Sequence, residues 1–164
     1  MSRDRDQAYV AAALPAFIEE AREQAHHIEQ LLLQLESAPD DRDLLDALFR
    51  CAHTVKGSAG IFGLDDLVAF THHVEGLLDS LRDGELAFSP GIGTLLLRCN
   101  DQILKLVAEA GGSEAAAPDA AARRVLVDEL TVVRGGAGGT AAGPAAAPAA
   151  GAQSPAGAAV TGRW

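Results

Sequence analysis

The chain has 164 residues, a formal net charge of −10, and 4% aromatic residues within an apolar content of 48%. An acidic chain without clustered Lys and Arg argues against nucleic acid as a partner, and no run approaches the ~18 apolar residues of a membrane span. The N-terminal MSRDRDQAYV lacks the apolar stretch of a signal peptide, so a cytoplasmic location is expected, with Cys51 and Cys99 as buried, reduced thiols.

Apolar residues separated by alternating steps of three and four mark helices along the chain. The first is expected from about Pro15, suited to a first helical turn, to about Glu36, with Ile18, Ala21, Ala25, Ile28, Leu32 and Leu35 facing inward. SAPDDRD then interrupts the pattern. A second helix runs from about Arg42 to Ala59 on Leu45, Leu48, Ala52, Val55 and Ala59, and GIFGLDD forms the next turn. The third spans about Asp65 to Arg82, with Leu67, Phe70, Val74, Leu77, Leu78 and Leu81 as its stripe. Ser89 is expected as the N-cap and Pro90 as a first-turn proline of the fourth, which buries Ile92, Leu96, Cys99, Ile103 and Leu106 before ending near Ala110. After a looser connection, PDAAARRVLVDELTVVR gives a fifth helix with Val125, Leu126, Leu130 and Val133 available for packing.

Four amphipathic helices joined by short turns predict an all-α, antiparallel four-helix bundle with an additional fifth C-terminal helix. From residue 135 the composition turns to Ala, Gly and Pro, with Arg163 as the one charge. Such a segment cannot supply a core, and it is expected as a disordered, flexible linker over 135–164 after a domain at 1–134. A linker of this kind suggests a module attached to a longer protein.

A helical bundle does not itself specify a function, so a site has to be found on its surface. On the second helix, the inward residues fix Arg50, His53, Lys56, Gly57 and Gly60 as one outward stripe. His53 is then exposed beside two positions without side chains. Glycine in a helix costs about 0.5–1 kcal/mol relative to alanine, and close approach of a partner backbone is one reason to carry that penalty. A neutral imidazole is a nucleophile near physiological pH, provided one ring nitrogen is free and the other is held as N–H. On the third helix Val68, His72, Glu75 and Asp79 share a face, so Glu75 or His72 could reach the His53 ring.

FRCAHTVKGSAGIFGLDDL followed by THHVEGLLDSLRDGE resembles the histidine phosphotransfer (Hpt) family, most of all the N-terminal P1 modules of CheA-type chemotaxis kinases. The H-[ST]-x-K-G pattern stands here as His53 to Gly57, and T-H-x-x-E as Thr71 to Glu75. The resemblance covers about residues 10–134. It implies that His53 accepts a phosphoryl group on Nε2, that Glu75 orients the ring through Nδ1–H, that Lys56 offsets phosphoryl charge, and that His72 completes the polar cluster. Gly57 and Gly60 would leave room for partners, and Arg50, Phe49, Asp46 and polar residues of the first helix would border that access surface. The implied partners are a kinase ATP-binding domain, in the same chain, across a dimer or in a separate protein, and a CheY/CheB-like receiver domain. ATP and Mg²⁺ would come with those partners, with no cofactor or metal bound by this domain.

Two other readings compete. A metal-binding bundle would draw on His26, His27, His53, His72 and His73, but adjacent histidines cannot both face one ion. The i, i+3 pair of His72 and Glu75 also lacks the second such pair that bundle metal sites use. An adaptor bundle would leave His53 an ordinary surface residue. His26 and His27 are expected on the polar face of the first helix, His73 as a bystander, and Arg123-Arg124 as a solvated patch.

Overall fold

The breaks between periodic segments are helix boundaries with identifiable chemistry. The computed structural model describes residues 2–112 and 120–139, which form α1 (Ser2–Ser37), α2 (Arg42–Ile61), α3 (Asp65–Arg82), α4 (Pro90–Ala110) and α5 (Ala120–Gly139). Asp41 caps α2 by accepting the backbone N–H groups of Asp43 and Leu44 at 3.0 and 3.2 Å. Ser89 caps α4 through the N–H of Ile92, with Pro90 where its missing donor is not needed. At the end of α2, Gly63 adopts φ +68°. There the N–H of Leu64 returns to Ala59 C=O and that of Gly63 to Gly60 C=O. This paired closure of a helix C-terminus needs a left-handed residue, which glycine supplies without a Cβ penalty.

Around the bundle α1 packs on α2, α2 on α3, α3 on α4, and α4 back on α1, while α5 lies against α3 and α4. Opposed directions follow from the contacts themselves. Arg42 and Asp46 of α2 meet Arg82 of α3, whereas His53 meets Glu75. Asn100 Nδ2 of α4 donates to Ala25 C=O of α1 at 2.9 Å. Helix α5 runs parallel to α3, with Arg123 near Asp66 at one end and Arg134 against Gly76 further along. The core is leucine-rich: Leu35, Leu48 and Leu77 are completely enclosed. Complete burial of such a side chain contributes about 1.5–3 kcal/mol. Every residue expected inward on the second, third and fourth helices is buried, Cys99 included, and both cysteines are free thiols.

Five expectations are corrected. Helix α1 starts at Ser2, with Pro15 in its interior. Proline removes only its own N–H bond and crowds one carbonyl, while the flanking Ala8 and Ala11–Ala13 favour helix. Ile18 is only partly buried, and Phe17 and Leu31 join the α1 core face. Helix α5 continues past Arg134 to Gly139, so a helix covers the first residues assigned to the linker. Extending a formed helix adds one backbone bond per residue fixed, without a new nucleation step. Positions 140–164 of the linker and the start of the fifth segment at Pro118 lie outside the described residues. On α5 itself, Leu126 and Leu130 are buried and Val133 partly so, but Val125 is 50% exposed. Val127 takes its place against the core. Arg123 is not a solvated residue: its side chain is only 16% exposed and lies 3.9 Å from Asp66, while Arg124 faces solvent.

Candidate functional site

Helix α2 carries His53, Lys56, Gly57 and Gly60 outward because Ala52, Val55 and Ala59 point into the core. The imidazole of His53 is 61% exposed. Its Nδ1 lies 2.6 Å from Glu75 Oε2, and no described residue bonds Nε2. Lys56, one turn further along α2, donates from Nζ to the other carboxylate oxygen, Oε1, at 2.7 Å. Glu75 is the buried member, with its side chain 12% exposed. It therefore bridges the two α2 residues from the neighbouring helix.

Burial is the largest single influence on Glu75 and pushes its carboxyl upward. The hydrogen bonds and positive charges of Lys56 and His53 together outweigh it, and the carboxyl is held below its ordinary value. The group is thus a permanent carboxylate near neutral pH, suited to hold the His53 Nδ1 proton. That assignment makes Nε2 the free lone pair. Between the two acceptors left open by the helical spacing, the geometry selects Glu75.

His72, one turn before Glu75 on α3, is exposed and makes no hydrogen bond to His53, Lys56 or Glu75. Its ring instead meets His73 edge-on, with centroids 6.3 Å apart. The polar cluster is therefore three residues, with His72 at its border. A helical position fixes a side chain's direction but not its partner, and Lys56 already occupies the second oxygen of Glu75.

The expected access surface is uneven. Gly57 and Gly60 are exposed, and a Cβ added at either would meet nothing within 4 Å, so the clearing beside His53 is real. Arg50 is exposed as well. Phe49 is half-buried, and its ring lies 11° from parallel to the His53 ring, with centroids 5.9 Å apart. Asp46 lies 4.0 Å from Arg82, whose guanidinium covers Phe49 at 3.9 Å from the ring centroid. Arg82 was not visible as part of the site in the sequence, because Phe49 and Asp46, which tie it to the site, belong to another helix. Ile61, 74% exposed just after Gly60, was missed for a different reason: the periodicity stops at Ala59 and leaves Ile61 in the turn, whereas α2 extends to it.

Among the described residues no three His, Cys, Asp or Glu side chains converge as a metal-binding group. His26 and His27 sit on the exposed face of α1, His26 near Glu29 and His27 Nδ1 3.4 Å from Cys51 Sγ. None of the described helices is long and apolar enough to cross a membrane.

The sequence profile of the Hpt domain matches residues 12–136. The chain is 37% identical over 122 residues to the chemotaxis protein CheA of Rhizobium meliloti (strain 1021), covering 73% of this chain but 16% of that protein. It therefore spans a small fraction of that relative's length. The CheA phosphotransferase domain from Thermotoga maritima superimposes with a TM-score of 0.58 at 30% identity, over 60% of this chain and 93% of that one. The phosphorylated P1 domain of CheA3 from R. sphaeroides, solved in complex with CheY6, shares the fold with a TM-score of 0.64 at 22% identity. That superposition covers 74% of this chain and 98% of the P1 chain.

Proposed function

The chain belongs to the Hpt domain family, and from that premise we propose that it is a phosphocarrier in chemotaxis-type two-component signalling. The observation that carries the reading is the His53 ring itself, exposed to 61% with Nδ1 bound to Glu75 at 2.6 Å. In the first half-reaction the Nε2 lone pair attacks the γ-phosphorus of ATP held by a CheA-type kinase domain. An N–P bond forms, the bond to the bridging oxygen breaks, and ADP leaves with the electron pair. The proton stays on Nδ1, and the positive charge developing on the ring is met by the Glu75 carboxylate. In the second half-reaction an aspartate of a CheY/CheB-like receiver domain takes the phosphoryl group, and the imidazole returns to its neutral form.

ATP and Mg²⁺ enter with the partners, and Lys56 offsets phosphoryl charge at the rim of the site. His72 borders the cluster, and Arg50, Gly57 and Gly60 form the floor on which partners dock. The module works in the cytoplasm. The kinase domain acts from the same chain, across a dimer or from a separate protein. Incubation with a CheA-type kinase core and [γ-³²P]ATP is expected to give acid-labile, base-stable label that is absent from His53→Gln and passes to a receiver domain. Absence of label from the native protein would favour the adaptor reading.

A further inference from the structure

A hydrogen bond at Nδ1 restrains the His53 ring but, because such bonds tolerate a range of angles, does not lock its plane. Small changes in χ1 and χ2 still tilt the ring within that tolerance, and the tilt moves Nε2. In-line transfer needs Nε2 to point at phosphorus, because misplacement of reacting atoms by about 1 Å can slow a reaction 10²-fold. Two residues outside the His53–Glu75–Lys56 triad stack in sequence beside the ring. Phe49, one turn before His53 on α2, sets its ring 11° from parallel to the imidazole at a centroid separation of 5.9 Å, within the range of offset stacking.

Phe49 is itself held in place. The Arg82 guanidinium lies over its ring, with Cζ 3.9 Å from the centroid. Arg82 is tethered in turn, through Nη2 to Asp79 Oδ1 at 2.8 Å and with Nε 4.0 Å from Asp46 Oδ1. The carbonyl of Arg82 accepts Arg42 Nη2 at 3.2 Å. The end of α3 is thus anchored on α2 by the same residue that covers Phe49. Glu75 holds the imidazole at its edge, and the Arg82–Phe49 stack borders its face.

We propose that Phe49 and Arg82 are positioning residues that set the plane of the His53 imidazole and so direct Nε2 toward the incoming phosphoryl group. This rests on His53 being the phosphoacceptor. The test uses the full chain with Phe49→Leu, Phe49→Trp and Arg82→Gln, each checked for native helix content by circular dichroism. Nuclear Overhauser contacts between the His53 and residue-49 rings report the plane, and the rate of labelling by kinase core and [γ-³²P]ATP reports its consequence. Phe49→Leu and Arg82→Gln are expected to lower the maximal rate about ten-fold, with the half-saturating concentration within about two-fold of native. Arg82→Gln is also expected to weaken the ring contacts, whereas Phe49→Trp keeps both contacts and rate.

Native maximal rates in Phe49→Leu and Arg82→Gln would overturn the proposal. So would a loss confined to the half-saturating concentration, which marks a docking surface instead. Should Phe49→Leu fail to fold, Arg82→Gln on the surface decides. If the native chain takes no label, the phosphoacceptor reading fails and the proposal with it as a catalytic device. The ring contacts in Arg82→Gln still show whether the stack sets the plane.

Discussion

Glu75 binds the proton-bearing side of His53 with one carboxylate oxygen and the Lys56 ammonium with the other. Its carboxyl titrates below the ordinary value in the folded chain, because Lys56 and His53 outweigh the upward push of burial. Between that lowered value and the unfolded carboxyl's ordinary pKa of about 4.3, the unfolded state binds more protons, so stability rises with pH. The contribution is complete above the unfolded pKa and is lost as pH falls through the folded one. Glu75→Gln is therefore expected to flatten the dependence of the unfolding midpoint on pH in the acid range. The same variant should take up phosphoryl groups about 10²-fold more slowly. Parallel acid-range slopes for variant and native, followed by urea unfolding at several pH values, would contradict the assignment. His53, Lys56 and Glu75 were legible in the sequence because the first two lie one turn apart and the third lies on a stripe with a known direction. Arg82 was not, since nothing local records that its guanidinium covers Phe49 on the neighbouring helix. Nor does local spacing reveal that Arg123 is enclosed against α3 rather than solvated.

At the scale of the helix, α2 is locally weaker than it needs to be. Gly57 and Gly60 have ordinary helical φ and open space where a Cβ would stand. Gly57→Ala and Gly60→Ala should each stabilise the chain by about 0.5–1 kcal/mol in urea titrations. Gly57→Leu, in contrast, should fold normally yet slow labelling of His53 by a kinase core about ten-fold, because its side chain fills the space next to the nucleophile. Normal labelling of Gly57→Leu would mean that the clearing is not where partners approach. The boundaries of α2, α3 and α4 were readable to within two residues from the breaks SAPDDRD and GIFGLDD and from Ser89–Pro90, and Asp41 and Gly63 supply the chemistry behind those breaks. The start of α1 was not, because Pro15 has the same identity in a first turn and in an interior one. Only the continuity of the residues before it separates the two cases. On α5 the choice between Val125 and Val127 depends on how the helix rolls against α3 and α4, which periodicity leaves free over so short a stripe.

The molecule as a whole isolates its two thiols from this surface chemistry. Cys99 is completely enclosed, and burial pushes its thiol up to about 12. Burial also raises Cys51, against a weaker downward pull from the Arg50 charge. The thiolate is the reactive form, so alkylation by iodoacetamide at neutral pH should be slow in the native chain. It should become fast for both cysteines in the unfolding transition, as followed by mass spectrometry. Rapid native labelling of Cys99 would show that the α1–α4 bundle opens far more readily than its packing implies. The ring of four helices was legible from turn lengths alone, since short connections make sequential helices neighbours. The placement of α5, parallel to α3 and bridged to α4 by Arg98 and Glu129, had no such signal.

The ammonium of Lys56 is already committed to a carboxylate before any phosphoryl group arrives. A carrier that offered its cargo an uncompensated cation would deepen the intermediate well and hold the group too firmly to give it up, since binding an intermediate tightly raises the barrier to leaving it. On the proposed reading the phosphoryl dianion would share Lys56 with Glu75, and phosphohistidine would keep a high group-transfer potential. Lys56→Met is accordingly expected to shift the equilibrium between ATP and phospho-His53 by less than about ten-fold, one decade being about 1.4 kcal/mol. A larger shift toward ATP, measured by back-transfer to ADP, would show that Lys56 leaves Glu75 to clamp the phosphoryl group.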